Sequence, residues 1–107
     1  MDDVKDRIQT IVEGHPVVLF MKGNKVFPQC GFSHRAVEIL KRCNAGEFHT
    51  VNVLEDMDIR QGIKEFANWP TIPQLYLGGK FVGGSDILME MFESGELQPL
   101  VAEAVGG

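Results

Sequence analysis

Cys30-Gly31-Phe32-Ser33 is the stretch of this chain best suited to chemistry. It follows an apolar run and a loop containing Pro28, and it opens a segment with helical periodicity. A thiol at that junction faces the unpaired N–H groups and the positive end of the helix dipole, which favour the thiolate. The thiolate is the form that attacks disulfides and binds soft metals. Ser33 stands where a second cysteine would complete Cys-x-x-Cys, so a local dithiol–disulfide cycle is closed off. One exposed thiolate can still form a mixed disulfide with a small thiol, or ligate a metal.

The elements that must position this thiol follow from hydrophobic spacing. Val4, Ile8, Ile11 and Val12 predict an amphipathic helix over 2–13, stopped by Gly14. Val17-Val18-Leu19-Phe20-Met21 predicts a buried strand, followed by a loop from Lys22 to Gln29. A helix is expected from about Gly31 to Arg42, with Ala36, Val37, Leu40 and Cys43 on its apolar face. Phe48 to Val53 reads as an alternating strand. Strand, helix, strand implies a parallel, right-handed crossover.

Asp56 or Asp58 can cap a third helix containing Ile59, Ile63 and Phe66. Gln74–Leu77 and 80–82 read as a hairpin turning at Gly78-Gly79. After a Gly83-Gly84 turn, Ser85 or Asp86 caps a helix that ends at Gly95, and a last helix spans 97–105. The order α-β-α-β-α-β-β-α-α predicts an α/β or α+β sandwich with helices on both faces of the sheet. The edge where parallel strands end is where such sheets bind ligands, and Cys30 falls there.

Composition sets bounds. A chain of 107 residues is of ordinary domain size and needs no disulfide staples. Two cysteines make no disulfide framework and fit a reducing compartment. The net charge of −5 argues against a general nucleic-acid partner. No apolar run reaches membrane-span length, so no membrane partner is expected. The start, Met1-Asp2-Asp3-Val4-Lys5, lacks the hydrophobic stretch of a secretory signal. Lys22, Lys25, His34, Arg35, Arg60 and Lys64 fall in segments around Cys30, a basic rim that suggests a small anionic ligand.

Three stretches now stand in one order: Cys30-Gly31-Phe32-Ser33, Trp69-Pro70-Thr71-Ile72-Pro73 and Gly83-Gly84-Ser85-Asp86. Together they resemble the signatures of monothiol glutaredoxins of the Cys-Gly-Phe-Ser type. Phe20-Met21-Lys22-Gly23 and Ile59-Arg60-Gln61-Gly62-Ile63-Lys64 add to the likeness, which runs from about Val17 to Leu97. The resemblance implies a thioredoxin-like (glutaredoxin) fold, with a central four-stranded mixed sheet flanked by about five helices. Residues 1–107 would form one glutaredoxin domain. It also implies a glutathione site and a [2Fe-2S] cluster bridging two subunits. Each subunit would give one cysteine and two glutathiones the other thiolates, which meets the usual demand for four. The chain would then be a homodimer with the cluster and a monomer without it.

Mapped onto this chain, Cys30 becomes the cluster ligand and the mixed-disulfide thiol. Glutathione contacts would come from Lys22, Arg60, Lys64, Thr71, Ile72, Pro73, Gly84, Ser85 and Asp86. Lys22 can reach the thiolate or a ligand carboxylate by charge. Arg60 can fork onto the glycyl carboxylate, with Lys64 one helical turn on. The family has a cis bond at Ile72-Pro73, leaving the Ile72 backbone free to pair with the cysteinyl backbone of glutathione. N–H groups of Ser85 and Asp86 would donate to the γ-glutamyl carboxylate, and the Asp86 side chain would meet its ammonium. Ser85 departs from the cysteine the family often has there, so a resolving disulfide to Cys30 is impossible and glutathione or a reductase must complete any thiol cycle. From the same resemblance, the Lys22–Gln29 loop moves bound glutathione away from attack and favours cluster chemistry.

Two functions compete. One is an iron–sulfur carrier that passes its cluster to apo-proteins, with BolA-like proteins as partners, and contributes to redox homeostasis. The other is a weak glutathione-dependent oxidoreductase in which Cys30 takes glutathione from protein mixed disulfides. A non-catalytic interaction module is a third. The expected location is an intracellular reducing compartment: chloroplast stroma, mitochondrial matrix or bacterial cytoplasm. Cys43 reads as core, with a distal redox partner as the lesser alternative, and Trp69 as a cover beside Pro70, with a ligand contact as the lesser alternative; Met21, Met57, Met89 and Met91 read as packing. Phe32 is expected to be partly core and partly a cover for the cluster. The three histidines lack metal spacing with the cysteines, while His34 can tune Cys30 or simply face solvent.

Overall fold

All five residues of Val17–Met21 (β1) are buried, which requires cover on both faces. In the computed structural model, which describes residues 2–106, β1 lies inside a four-stranded sheet. It runs parallel to His49–Asn52 (β2) and antiparallel to Gln74–Leu77 (β3), which pairs in turn with Lys80–Gly83 (β4). The order is β2-β1-β3-β4. Gly78 and Gly79 make the β3–β4 turn at φ 57° and 82°, the left-handed region that a tight hairpin demands.

Alternate side chains of β1 divide the core. Val17, Leu19 and Met21 pack against Ala36, Val37 and Leu40 of α2 (Gly31–Arg42), Leu88 of α4 (Ser85–Ser94) and Leu97 and Val101 of α5 (Leu97–Gly106). Val18 and Phe20 pack with Ile8 and Val12 of α1 (Asp2–Gly14), Ile59 and Ile63 of α3 (Met57–Phe66), and Tyr76. Cys43 is buried beside α2, as its spacing predicted. No helix among the described residues is long and apolar enough to cross a membrane.

Several boundaries differ from the sequence reading, each for a local reason. The strand expected over 48–53 contracts to His49–Asn52. Asn52 Oδ1 accepts the N–H groups of Leu54 (3.0 Å) and Gly23 (2.9 Å), and the chain turns into a 3-10 turn, Val53–Glu55. Its four residues are all half-buried rather than alternating, because β2 is an edge strand. Asp56, not Asp58, caps α3, accepting from Asp58 N and Ile59 N at 3.1 Å each. Arg7 of α1 donates to the other oxygen of Asp56. Neither Ser85 nor Asp86 caps α4: Gly84 holds that position, and both lie in the first turn. Met57 is 64% exposed and is not a packing residue.

Candidate functional site

Cys30 is the N-cap of α2, in extended conformation and half-buried. Partial burial pushes its thiol up, but opposing contacts outweigh this. The backbone N–H groups of Ser33 and Phe32, the charge of Lys22 and the Ser33 side chain together hold it below the ordinary cysteine range. His34 is not among these groups; it lines a groove between α2 and α4 with Arg35 and Arg42. Cys43 behaves oppositely, since burial pushes its thiol up with nothing to offset it.

Ser33 does more than vacate a cysteine position. It is fully buried, and its Oγ accepts the Lys22 N–H at 3.0 Å, tying the end of β1 to the first turn of α2. The loop between them is closed on itself. Gln29 N donates to Lys22 O at 2.9 Å, and Asn24 Oδ1 accepts from Val26 N and Phe27 N at 2.9 and 2.8 Å. Val26 and Phe27 in this loop are 75% and 68% exposed, and Phe32 in the first turn of α2 is 55% exposed. Lys25 reaches back to the Phe48 carbonyl, its ammonium 4.5 Å from the centre of the Phe48 ring.

Beside the thiol opens a cleft of about 370 Å³. The elements that build it come from distant parts of the chain: the end of β1 (Lys22), the start of α2 (Cys30, Phe32), α3 (Lys64), the segment before β3 (69–73) and the start of α4 (84–87). Of the ten residues singled out from sequence, nine line it: Cys30, Lys22, Lys64, Thr71, Ile72, Pro73, Gly84, Ser85 and Asp86. Arg60 does not. It sits half-buried on α3, one turn before Lys64, outside the lining. Phe32, Trp69, Pro70 and Ile87 line it as well. Trp69 combines the two expected roles: its ring packs on Phe81 (centroids 5.5 Å apart) and it lines the cleft. Its place inside the Trp-Pro-Thr-Ile-Pro stretch was the available signal.

The Ile72-Pro73 bond is cis, as expected. Gly84 passes close under this segment: a Cβ there would lie 3.2 Å from Pro73 O and 3.3 Å from Trp69 Nε1, which explains glycine rather than a capping side chain. The electrostatics are two-sided. Lys22 and Lys64 supply cations, while the N-terminus of α4 offers unpaired N–H groups beside the exposed Asp86 carboxylate. The Ser85 Oγ and Trp69 Nε1 atoms are buried without protein partners. A zwitterionic ligand with separated carboxylates and an ammonium matches this arrangement. Among the described residues, no three His, Cys, Asp or Glu side chains gather as metal ligands.

Comparison with known proteins gives this geometry a family. The glutaredoxin family model matches residues 17–82. The chain is 52% identical to an uncharacterized monothiol glutaredoxin of Synechocystis sp., over 96% of this chain and 95% of that protein. It is 53% identical to the chloroplastic monothiol glutaredoxin-S14 of Arabidopsis thaliana, over 95% of this chain and 58% of the relative's length. Among solved structures, reduced apo GrxS14 from poplar superposes with a TM-score of 0.84 at 52% identity, covering 97% of this chain and 94% of that one. A buckwheat glutaredoxin–glutathione complex superposes with a TM-score of 0.81 at 25% identity, covering 94% and 89%. The architecture is the thioredoxin-like glutaredoxin fold, and with one thiol at the helix start and serine in the second position, the chain belongs to the monothiol glutaredoxins.

Proposed function

We propose that this chain binds glutathione in the cleft and, as a pair of copies, carries a [2Fe-2S] cluster to acceptor apo-proteins. The observation that carries this reading is the thiol itself. Cys30 has a lowered pKa and opens onto a cleft whose two lysines and helix N-terminus suit the carboxylates of glutathione. The Asp86 carboxylate suits its ammonium. Ile72 offers backbone to a bound peptide, and Arg60 would reach the glycyl carboxylate only from beyond the lining. The glutathione complex of the buckwheat relative supports glutathione as the ligand.

The cluster is cargo. One chain offers it a single thiolate, so four ligands require a second copy and the thiols of two glutathiones. Ligands supplied partly by an exchangeable small molecule favour release. The exposed Val26 and Phe27 of the loop before the thiol, and Phe32 just after it, offer apolar side chains to a partner. Apo-proteins and BolA-like proteins are the partners the family likeness suggests. The chloroplastic and cyanobacterial relatives support an organelle or bacterial interior.

The same lowered thiol pKa favours a second reading. The Cys30 thiolate attacks the glutathione sulfur of a protein mixed disulfide and releases the protein thiolate. A second glutathione thiolate then attacks, freeing Cys30 and leaving oxidised glutathione. Anaerobic reconstitution with iron, sulfide and glutathione separates the two. The carrier reading expects charge-transfer bands on a glutathione-dependent dimer, lost in Cys30→Ser. A colourless monomer that deglutathionylates a substrate would overturn it in favour of the reductase.

A further inference from the structure

We propose that Gln74 is a positioning residue for the cleft: its side chain holds the Trp69–Pro73 wall in the shape that receives the ligand. The proposal rests on the glutathione reading above. Gln74 begins β3 and is fully buried. Its side chain leaves the sheet and donates Nε2–H to the carbonyls of Trp69 (3.1 Å) and Thr71 (3.2 Å). Both residues line the cleft, with Pro70 between them and Ile72 and Pro73 just beyond.

The orientation of the amide is fixed by the wall itself. The Trp69 and Thr71 carbonyls can only accept, so the amide nitrogen must face them and Oε1 is turned to the core. There Tyr76 OH donates to Gln74 Oε1 at 3.1 Å, and burial pushes the phenol up, so it keeps the proton it gives. Tyr76 is itself locked among Phe20, Phe66 and Phe81, with centroids 5.5–6.0 Å apart. At its other end the wall is pinned by Trp69 N–H donating to Lys64 O at 2.9 Å. A fully satisfied polar chain thus runs from the core beneath α1 and α3 to the ligand-facing segment. Burying an amide without such partners is costly, so the network ties wall shape to core packing.

Trp69 is the only tryptophan, so its emission reports on the wall directly. The test compares the parent chain with Gln74→Leu and Tyr76→Phe, at a temperature where circular dichroism shows each folded. Glutathione affinity comes from calorimetry, and wall order from acrylamide quenching of Trp69. Gln74→Leu is expected to weaken glutathione about tenfold and to open Trp69 to quencher, and Tyr76→Phe to do both to a smaller extent. Folded variants with the parent's affinity and quenching would overturn the proposal, even if their melting points fell. Should Gln74→Leu not fold, Tyr76→Phe decides in the same terms. A parent chain that binds no glutathione would overturn the glutathione reading and this proposal with it.

Discussion

The Ser33 hydroxyl accepts the backbone N–H of Lys22 across 3.0 Å, and the side chains on either side of that bond, Cys30 and Lys22, share one cleft. A position read from sequence as a missing thiol is therefore a structural joint. Ser33→Ala leaves the Lys22 N–H part-buried and unpaired, which costs about 1–3 kcal/mol. Urea titration is expected to show that loss. The same change removes a stabiliser of the thiolate, so Cys30 is expected to titrate higher when followed by its absorbance at the thiolate band.

Lys22 acts on Cys30 through charge alone. Lys22→Gln is therefore expected to raise the Cys30 pKa and slow its alkylation by iodoacetamide near neutrality. The slowing should be about fivefold, the order of effect of one nearby unit charge screened by water. It should shrink as salt is added. A rate unchanged at low salt would show that Lys22 does not face the thiolate.

Gly62 lies in the middle of α3, where glycine is a poor helix former. A Cβ there would run into Val4 Cγ1 and come within 3.3 Å of Ile8 Cδ1 on α1. Gly62→Ala gains about 1 kcal/mol of helix propensity but incurs overpacking of about 1–3 kcal/mol. The net expectation is a lower Tm by several degrees, as calorimetry would show. A higher Tm would mean that α1 yields freely.

His15 and His49 stack face to face, centroids 3.9 Å apart. Burial holds the His49 imidazole below its ordinary value, helped by the charges of His15 and Lys25. The unfolded chain therefore takes up this proton first as pH falls. Stability is intact above about pH 6.5 and declines below it until the folded imidazole also titrates. Tm measured across that range should fall with pH, and His49→Asn should flatten the slope.

Much of this was legible in sequence because local signals agreed with tertiary ones. The uninterrupted apolar run of β1, the Gly78-Gly79 hairpin and the glycine stop at Gly95 each specify one backbone outcome, and the structure has all three. The ends of β2 and the start of α4 were not legible. They depend on partners far along the chain: Gly23 for Asn52, and Pro73 and Trp69 for Gly84. Trp69 reads first as a cover for a related reason: Lys22, Cys30 and Phe32, which share its cleft, lie far from it in the chain.

The bond from Lys25 to the Phe48 carbonyl has a consequence unrelated to the thiol. β2 is an outer strand, and a bare outer strand is a template on which a neighbouring chain can add, the first step of aggregation. The loop ahead of Cys30 sets a part-buried ammonium on the carbonyl just before β2. It thereby discourages an incoming strand from docking in register. The segment that sets the thiol in place thus also puts a positive charge at the start of the sheet's open edge.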